Sequence, residues 1–291
     1  MEQLIDGVQI PHWEWWIVWY FFLGGIAGGA YFIAALVELM GTEEDRPIAR
    51  YGYLIAFPLI IICLICLVLD LGRPERFWHM VVYSKTWLPW PKWNSAISVG
   101  TYGVSIFAFF SFLSFVDTWM NGRLLRDPFC KIVAGLGALF AFFLGSYTGV
   151  LLASSHIPAW ADTPLLGALF IASALSTGGA AISLLLAWRG FNVAESWEKL
   201  KRTDNWAMLV ELVVLVAFLV MASSVAGYLF TSGVNLILFG ITLVLGMLIP
   251  LTLQLRSGHA SSTLTLLTSL SVLIGGFALR TVIVMGGQGL I

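Results

Sequence analysis

Apolar residues fill this chain in eight long stretches separated by short polar segments. They cover residues 15–40, 51–70, 95–118, 130–155, 164–188, 206–230, 234–253 and 263–285. A helix needs about 20 mostly apolar residues to cross a bilayer, and each stretch reaches that length. Backbone amides and carbonyls in lipid must be satisfied within the segment, so the stretches predict helices rather than loops. The pattern therefore predicts an all-α integral membrane protein with eight transmembrane helices. The charged segment 189–205 and the short segment 156–163 are the candidate joints between two four-helix bundles, residues 1–155 and 156–291. Glu2, Asp6 and Glu14 precede the first stretch without any Lys or Arg. A cleavable signal peptide would need a positive leader there, so this stretch is expected to be retained as a span.

Composition fits that reading. The chain is 59% hydrophobic and 11% charged, where a soluble domain carries about a quarter charged residues. Few residues are left over for a soluble domain. The net charge of −1 carries no partner information, and no nucleic acid is expected as a partner. Lys and Arg are placed asymmetrically. Ten lie in segments on the side opposite the chain ends, from Arg46 to Arg256, whereas Arg73, Arg76, Lys85 and Lys92 form the only group on the other side. Basic loops favour the cytoplasm, so both termini are expected outside a cell inner (cytoplasmic) membrane.

The chemistry in the spans is sparse. None of the eight stretches holds a mid-membrane histidine, which argues against haem with axial imidazoles. Three cysteines, Cys63, Cys66 and Cys130, are too few for a four-cysteine cluster and read as small packing residues. No haem and no iron–sulfur cluster is therefore expected in this protein, nor any other metal site. Phosphate-loop, dinucleotide and zinc-helix motifs are absent as well.

What remains are small or polar residues in apolar surroundings. Gly24, Gly25, Gly28 and Gly29 make two GxxxG spacings in the first stretch. Such spacing lets another helix approach closely, the reading favoured here, while leaving a flat surface for a ring open. Tyr147 lies at nearly the same depth in the fourth stretch as Gly24 in the first. Its phenol needs a partner, either a neighbouring helix carbonyl or a ligand carbonyl. Asp70 and His156 close the second and fourth stretches on the chain-end side, placed for structural pairing or for proton exchange with water. Glu38, Asp117, Glu211 and Arg280 are the charges within or near the ends of spans, and such charges usually face a bundle interior or a water path. Snorkelling alone accounts for Arg280. The long segment 71–94 carries Arg73, Arg76 and several tryptophans including Trp78. It is equally a lipid-surface segment or a docking surface.

In order along the sequence, FFLGGIAGGAYF, LDLGRPERF, YTGVLL followed by PAW, STGG and GGFALRTVIVMGGQ resemble the NrfD-like family, the membrane subunits of the polysulfide reductase type. The third stretch departs from the family pattern, reading WNSAISVG where a proline-containing entry is common, which leaves the subfamily open. The resemblance implies a haem-free, quinone-reactive membrane anchor that docks a ferredoxin-like iron–sulfur subunit on the outer face. That partner often links to a molybdopterin enzyme or a multihaem cytochrome. It also implies a quinone site in the first bundle near the outer face, with Tyr147 at the quinone-contacting tyrosine and Asp70 at the acidic position. The expected mechanism has a menaquinone or other quinone lying over Gly24, Gly25 and Gly28. Tyr147 orients a carbonyl, and Asp70 and His156 exchange protons. Arg73, Arg76 and Trp78 meet the partner. The competing expectation is a proton-translocating or transport subunit of a respiratory complex, its path lined by Glu38, Asp117, Glu211 and Arg280.

Overall fold

A computed structural model describes residues 4–5, 8–9, 13–83, 88–89, 92–93, 95–155, 157–161, 163–190, 194–222, 232–256 and 262–289. Eight helices in it are long and apolar enough to cross a membrane: Trp15–Met40, Glu43–Leu69, Ala96–Trp119, Phe129–Ala153, Leu165–Trp188, Glu198–Met221, Gly233–Leu255 and Ser262–Gly286. They are called the first to eighth spans below. Two short antiparallel ladders, Leu4–Ile5 with Val8–Gln9 and Val82–Tyr83 with Leu88–Pro89, are the strands among the described residues.

The helix ends follow local chemistry. Thr42 and Asp45 form a reciprocal capping box before the second span, and Pro47 sits in that helix's first turn. Ser95 caps the third span through the Ser98 amide. The sixth helix corrects an expectation. It covers Ala194–Met221, so most of the charged segment taken as a joint forms its opening turns. Lys and Glu are good helix formers, and hydropathy alone misses a polar helix entry. The far end of the expected stretch, 223–230, lies outside the described residues.

Burial ranks the helices. The most apolar windows of the first, fifth and eighth spans are 78%, 72% and 67% buried, against 28–39% for the other five. These three form the centre, and the rest present Leu, Ile, Val and Phe to lipid. The first span packs on the second, fourth, fifth and eighth. The fifth also packs on the fourth, sixth and eighth, and the seventh packs on the eighth. Glycines permit the closest crossings. A Cβ on Gly29 would strike the Ala174 carbonyl oxygen, and one on Gly178 would strike the backbone of Gly29 and Ala30. The seventh and eighth spans contain wider π-helical turns at Ile241–Leu248 and Val282–Gly286, with Gly246 and Gly275 in backbone contact between the two helices.

The chain ends are tied together. The Trp13 amide donates to Gln288 Oε1 (2.7 Å), and Gln288 Nε2 donates to the Trp13 carbonyl (3.1 Å). The first span therefore starts, and the eighth ends, on one face of the protein, here called the chain-end face. On the opposite face Lys199 of the sixth helix pairs with buried Asp45 at the start of the second (3.0 Å).

Candidate functional site

The glycine face divides on inspection of its neighbours. Gly25 is covered by Arg280, whose Nη2 lies 2.5 Å from the place of a Cβ. Gly28 is covered by the Ala141 carbonyl oxygen at 3.0 Å. These two glycines serve internal packing in this structure, as the packing reading expects. Gly24 differs: its neighbours, Cys63 Sγ and the Tyr20 ring, stand at ordinary distances of 3.7 and 3.8 Å. Of the three expected ring-contacting glycines, Gly24 is the one whose neighbours stand at full van der Waals distance.

Tyr147 stacks on Phe143, crosses Gly100 of the third span, and donates its hydroxyl proton to the Ala96 carbonyl (2.7 Å). Ala96 opens the third span, so the phenol ties two helices at the chain-end side. Tyr20 of the first span is an electrostatic neighbour of both Tyr147 and Cys63. Tyr20 borders Gly24, and its carbonyl accepts from Cys63 Sγ (3.7 Å). Sequence reasoning passed over Tyr20. Its place one turn before Gly24 on the same helical face was the available signal.

Asp70 follows the second span as its C-cap, with its amide bonded to the Cys66 carbonyl. It is half-buried. Partial burial and the like charge of Glu14 push its carboxyl up to about 6. Among the described residues no ion pair joins it to Arg73 or Arg76. His156 lies outside the described residues. After Asp70 comes a 3-10 helix, Pro74–Met80. It is held to the third span by the Tyr102 hydroxyl on the Val81 carbonyl and by Thr101 on Met80. Arg76 and Phe77 are exposed on it, as is Arg73 just before it, and Trp78 stacks on His79 with ring centroids 3.7 Å apart.

The four expected path residues fall in two places. Asp117 accepts the amides of Leu124 and Leu125 (2.9 and 2.7 Å), holding the turn after the third span. Glu38 accepts from Cys130 Sγ (3.5 Å). Both belong to the first four spans. Glu211 and Arg280 lie between the fifth, sixth and eighth spans and are 3% and 1% exposed. Arg280 does not snorkel. Its guanidinium donates to the Phe21 carbonyl (2.9 Å), Ser173 Oγ (2.8 Å) and the Gly276 carbonyl (3.0 Å), with Phe22 and Phe170 rings beside it. Glu211 accepts from Ser176 (2.6 Å), and Ser173 stands between it and Arg280. The inward turn has a physical reason: three oxygen partners inside outweigh a long reach to the interface. The serines of the fifth span escaped sequence reasoning, though Ser173 and Ser176 share a helical face.

Eight apolar helices around a buried centre, with both ends on one face, define a multi-pass, all-α integral membrane protein. The family model described as "Polysulphide reductase, NrfD" matches residues 6–291, so the protein belongs to that family. It is 28% identical to a polysulfide reductase polypeptide of Wolinella succinogenes, over 95% of this sequence and 94% of that one. It is 27% identical to the NrfD homolog of Haemophilus influenzae at the same coverages. A segment that makes up 41% of the sequence is 26% identical to a subunit of the selenate reductase of Mesobacillus selenatarsenatis, covering 25% of that protein.

Proposed function

We propose that this protein is the quinone-reactive membrane subunit of an oxidoreductase complex. It exchanges electrons between menaquinone, or a similar quinone, and an iron–sulfur partner subunit, and is active only within that complex. The observation that carries the reading is the group at the chain-end side of the first four spans. It comprises the half-buried Asp70 carboxyl, without an ion pair among the described residues, the phenols of Tyr20 and Tyr147, and Gly24, whose overlying atoms are side chains. Relatives named as parts of polysulfide and selenate reductases support a reductase complex.

The residues fit a quinone head group in part. Gly24 and Cys63 provide a small, apolar contact, and Tyr147 provides a hydroxyl donor. Its single proton now goes to Ala96, so a ligand carbonyl would compete with that carbonyl for it. Gly25 and Gly28 drop out of the contact surface because Arg280 and Ala141 occupy it. A bound quinone supplies the two-electron, two-proton chemistry. Asp70 exchanges the protons with water on the chain-end face, with His156 as its companion at the end of the fourth span. That face is the outer side of the cytoplasmic membrane, following the basic-loop asymmetry. Arg73, Arg76 and Trp78 meet a ferredoxin-like subunit there, with a molybdopterin or multihaem cytochrome subunit beyond it.

The test is quinol-analogue turnover in the purified complex. Asp70→Asn is expected to lower turnover more than affinity, because it keeps shape and removes proton exchange. Full turnover in Asp70→Asn at every pH, with normal assembly, overturns this assignment.

A further inference from the structure

The sixth span carries a second buried acid that the quinone reading does not use. Asp204 is 5% exposed and seven residues before Glu211, two turns along the same helical face, or about 10 Å. The fifth span mirrors it. Ser183 bonds Asp204 Oδ2 (3.2 Å), and Ser176, seven residues earlier, bonds Glu211 Oε2 (2.6 Å). The two rungs make a polar seam between antiparallel helices, which continues through Ser173 to Arg280 and the Phe21 carbonyl. Asp204 Oδ1 has no hydrogen-bond partner among the described residues. It points at Gly179, where any Cβ would strike it. The next residue, Asn205, also has a buried side-chain carbonyl oxygen without a partner among the described residues. Lys199, one turn or so nearer the surface, pairs with Asp45.

A buried carboxyl with one oxygen unpaired is costly as structure alone, since an unmet buried polar group loses its hydration without replacement. The absence of a side chain at Gly179 lets that oxygen sit directly against the backbone of the fifth span. Asp204 lies six residues from the start of its span and thus near the face opposite the chain ends. Glu211 lies midway through the membrane.

We propose that Asp204, Ser183, Ser176 and Glu211 form a proton-uptake seam that opens on the face opposite the chain ends and ends at Glu211. A proton from water forms an O–H bond on the Asp204 carboxylate. That bond breaks as the proton passes, through water along the serine stripe, to an O–H bond on Glu211. No electrons move in this step. Arg280 bounds the seam, and its contacts on Phe21 and Gly25 convey the charge state of Glu211 to the first span; the proton returns from Glu211 by the same route when the cycle resets, so each turnover takes up and releases one.

The experiment uses the whole complex in sealed vesicles, with pH-sensitive dyes on both sides and a quinol analogue driving turnover. Proton exchange at Asp70 appears on the chain-end side, so uptake on the other side reports the seam. Wild type is expected to show a transient uptake of about one proton per complex on that side at the onset of turnover. Asp204→Asn and Glu211→Gln are expected to lower this uptake by roughly tenfold or more, while Asp204→Glu retains it. Turnover and chain-end proton exchange persist in assembled Asp204→Asn when a protonophore is present. Unchanged uptake in Asp204→Asn, or turnover without such uptake in wild type, overturns the proposal. If wild type shows no quinone-linked turnover, the quinone reading fails and the seam is judged separately by infrared spectroscopy. A carboxylic-acid carbonyl band that shifts in heavy water and vanishes in Asp204→Asn upholds the seam. A wild-type spectrum without that band overturns it as well.

Discussion

At the scale of single residues, Asp70 makes the sharpest statement about pH. Its carboxyl is raised to about 6 from 3.8, first by partial burial and then by Glu14. Because the folded value is raised, the fold favours the protonated form. This contribution is complete at low pH and is lost as pH rises through the window from 3.8 to about 6. For turnover the sign depends on the proton's direction. Quinol oxidation needs the carboxylate and should rise with pH through about 6, while quinone reduction needs the acid and should fall there. Glu14→Gln removes the like charge and is expected to move that limb to lower pH, as read from the pH dependence of kcat. A limb that stays in place shows that Glu14 does not act on this group. Tyr147→Phe removes one hydrogen bond to Ala96, so thermal unfolding should register a loss of about 0.5–1.5 kcal/mol. An additional rise in KM for the quinol analogue separates a ligand role from a purely structural one. The need for a partner to the Tyr147 phenol was legible in the sequence; its identity was not. Spacing places Tyr147 level with Gly24, but it does not say that a third helix opens with its carbonyl at the phenol.

At the scale of helices, the sequence pattern defines the spans well because hydrophobic length is imposed by the bilayer. It fails where a helix starts in polar residues. Asp204 looks like loop in a hydropathy reading, since Glu195, Glu198, Lys199, Lys201 and Arg202 surround it, yet it lies inside the sixth helix facing the fifth. The doubled GxxxG is the complementary case. The motif announces close approach, and its two repeats are equivalent in sequence, yet only the packed neighbours tell them apart. Gly29 meets backbone of the fifth span, which cannot move aside. Gly24 meets a cysteine sulfur and a tyrosine edge at van der Waals distance. Gly29→Ala is therefore expected to destabilise the protein by about 1–3 kcal/mol or more through overpacking, whereas Gly24→Ala assembles normally. Detergent-solubilised melting curves for the two variants decide it. Equal melting temperatures would mean that the first and fifth spans adjust freely at their crossing.

At the scale of the whole molecule, the amide exchange between Trp13 and Gln288 places both chain ends on one face, the face that also carries the Pro74–Met80 helix. Arg73 and Arg76 stand exposed there beside Phe77, on a segment held to the third span. The ten other basic residues near the span ends lie toward the opposite face, the side that the basic-residue asymmetry would assign to the cytoplasm. This contrast yields a test of where an iron–sulfur subunit binds. Reversing Arg73 and Arg76 to Glu is expected to slow its association roughly tenfold or more at low salt, with the difference shrinking as salt screens the charges. The matched reversal of Arg123 and Arg126 on the other face should leave association unchanged while disturbing membrane orientation, because those residues act through the basic-loop asymmetry. Association rates for the two variants in detergent, where orientation plays no part, isolate the docking term. Slower association in the Arg123 and Arg126 variant alone would move the partner to the opposite face. It would then lie on the side of Asp204, away from Asp70, and the electron-accepting group would stand far from the site proposed for the quinone.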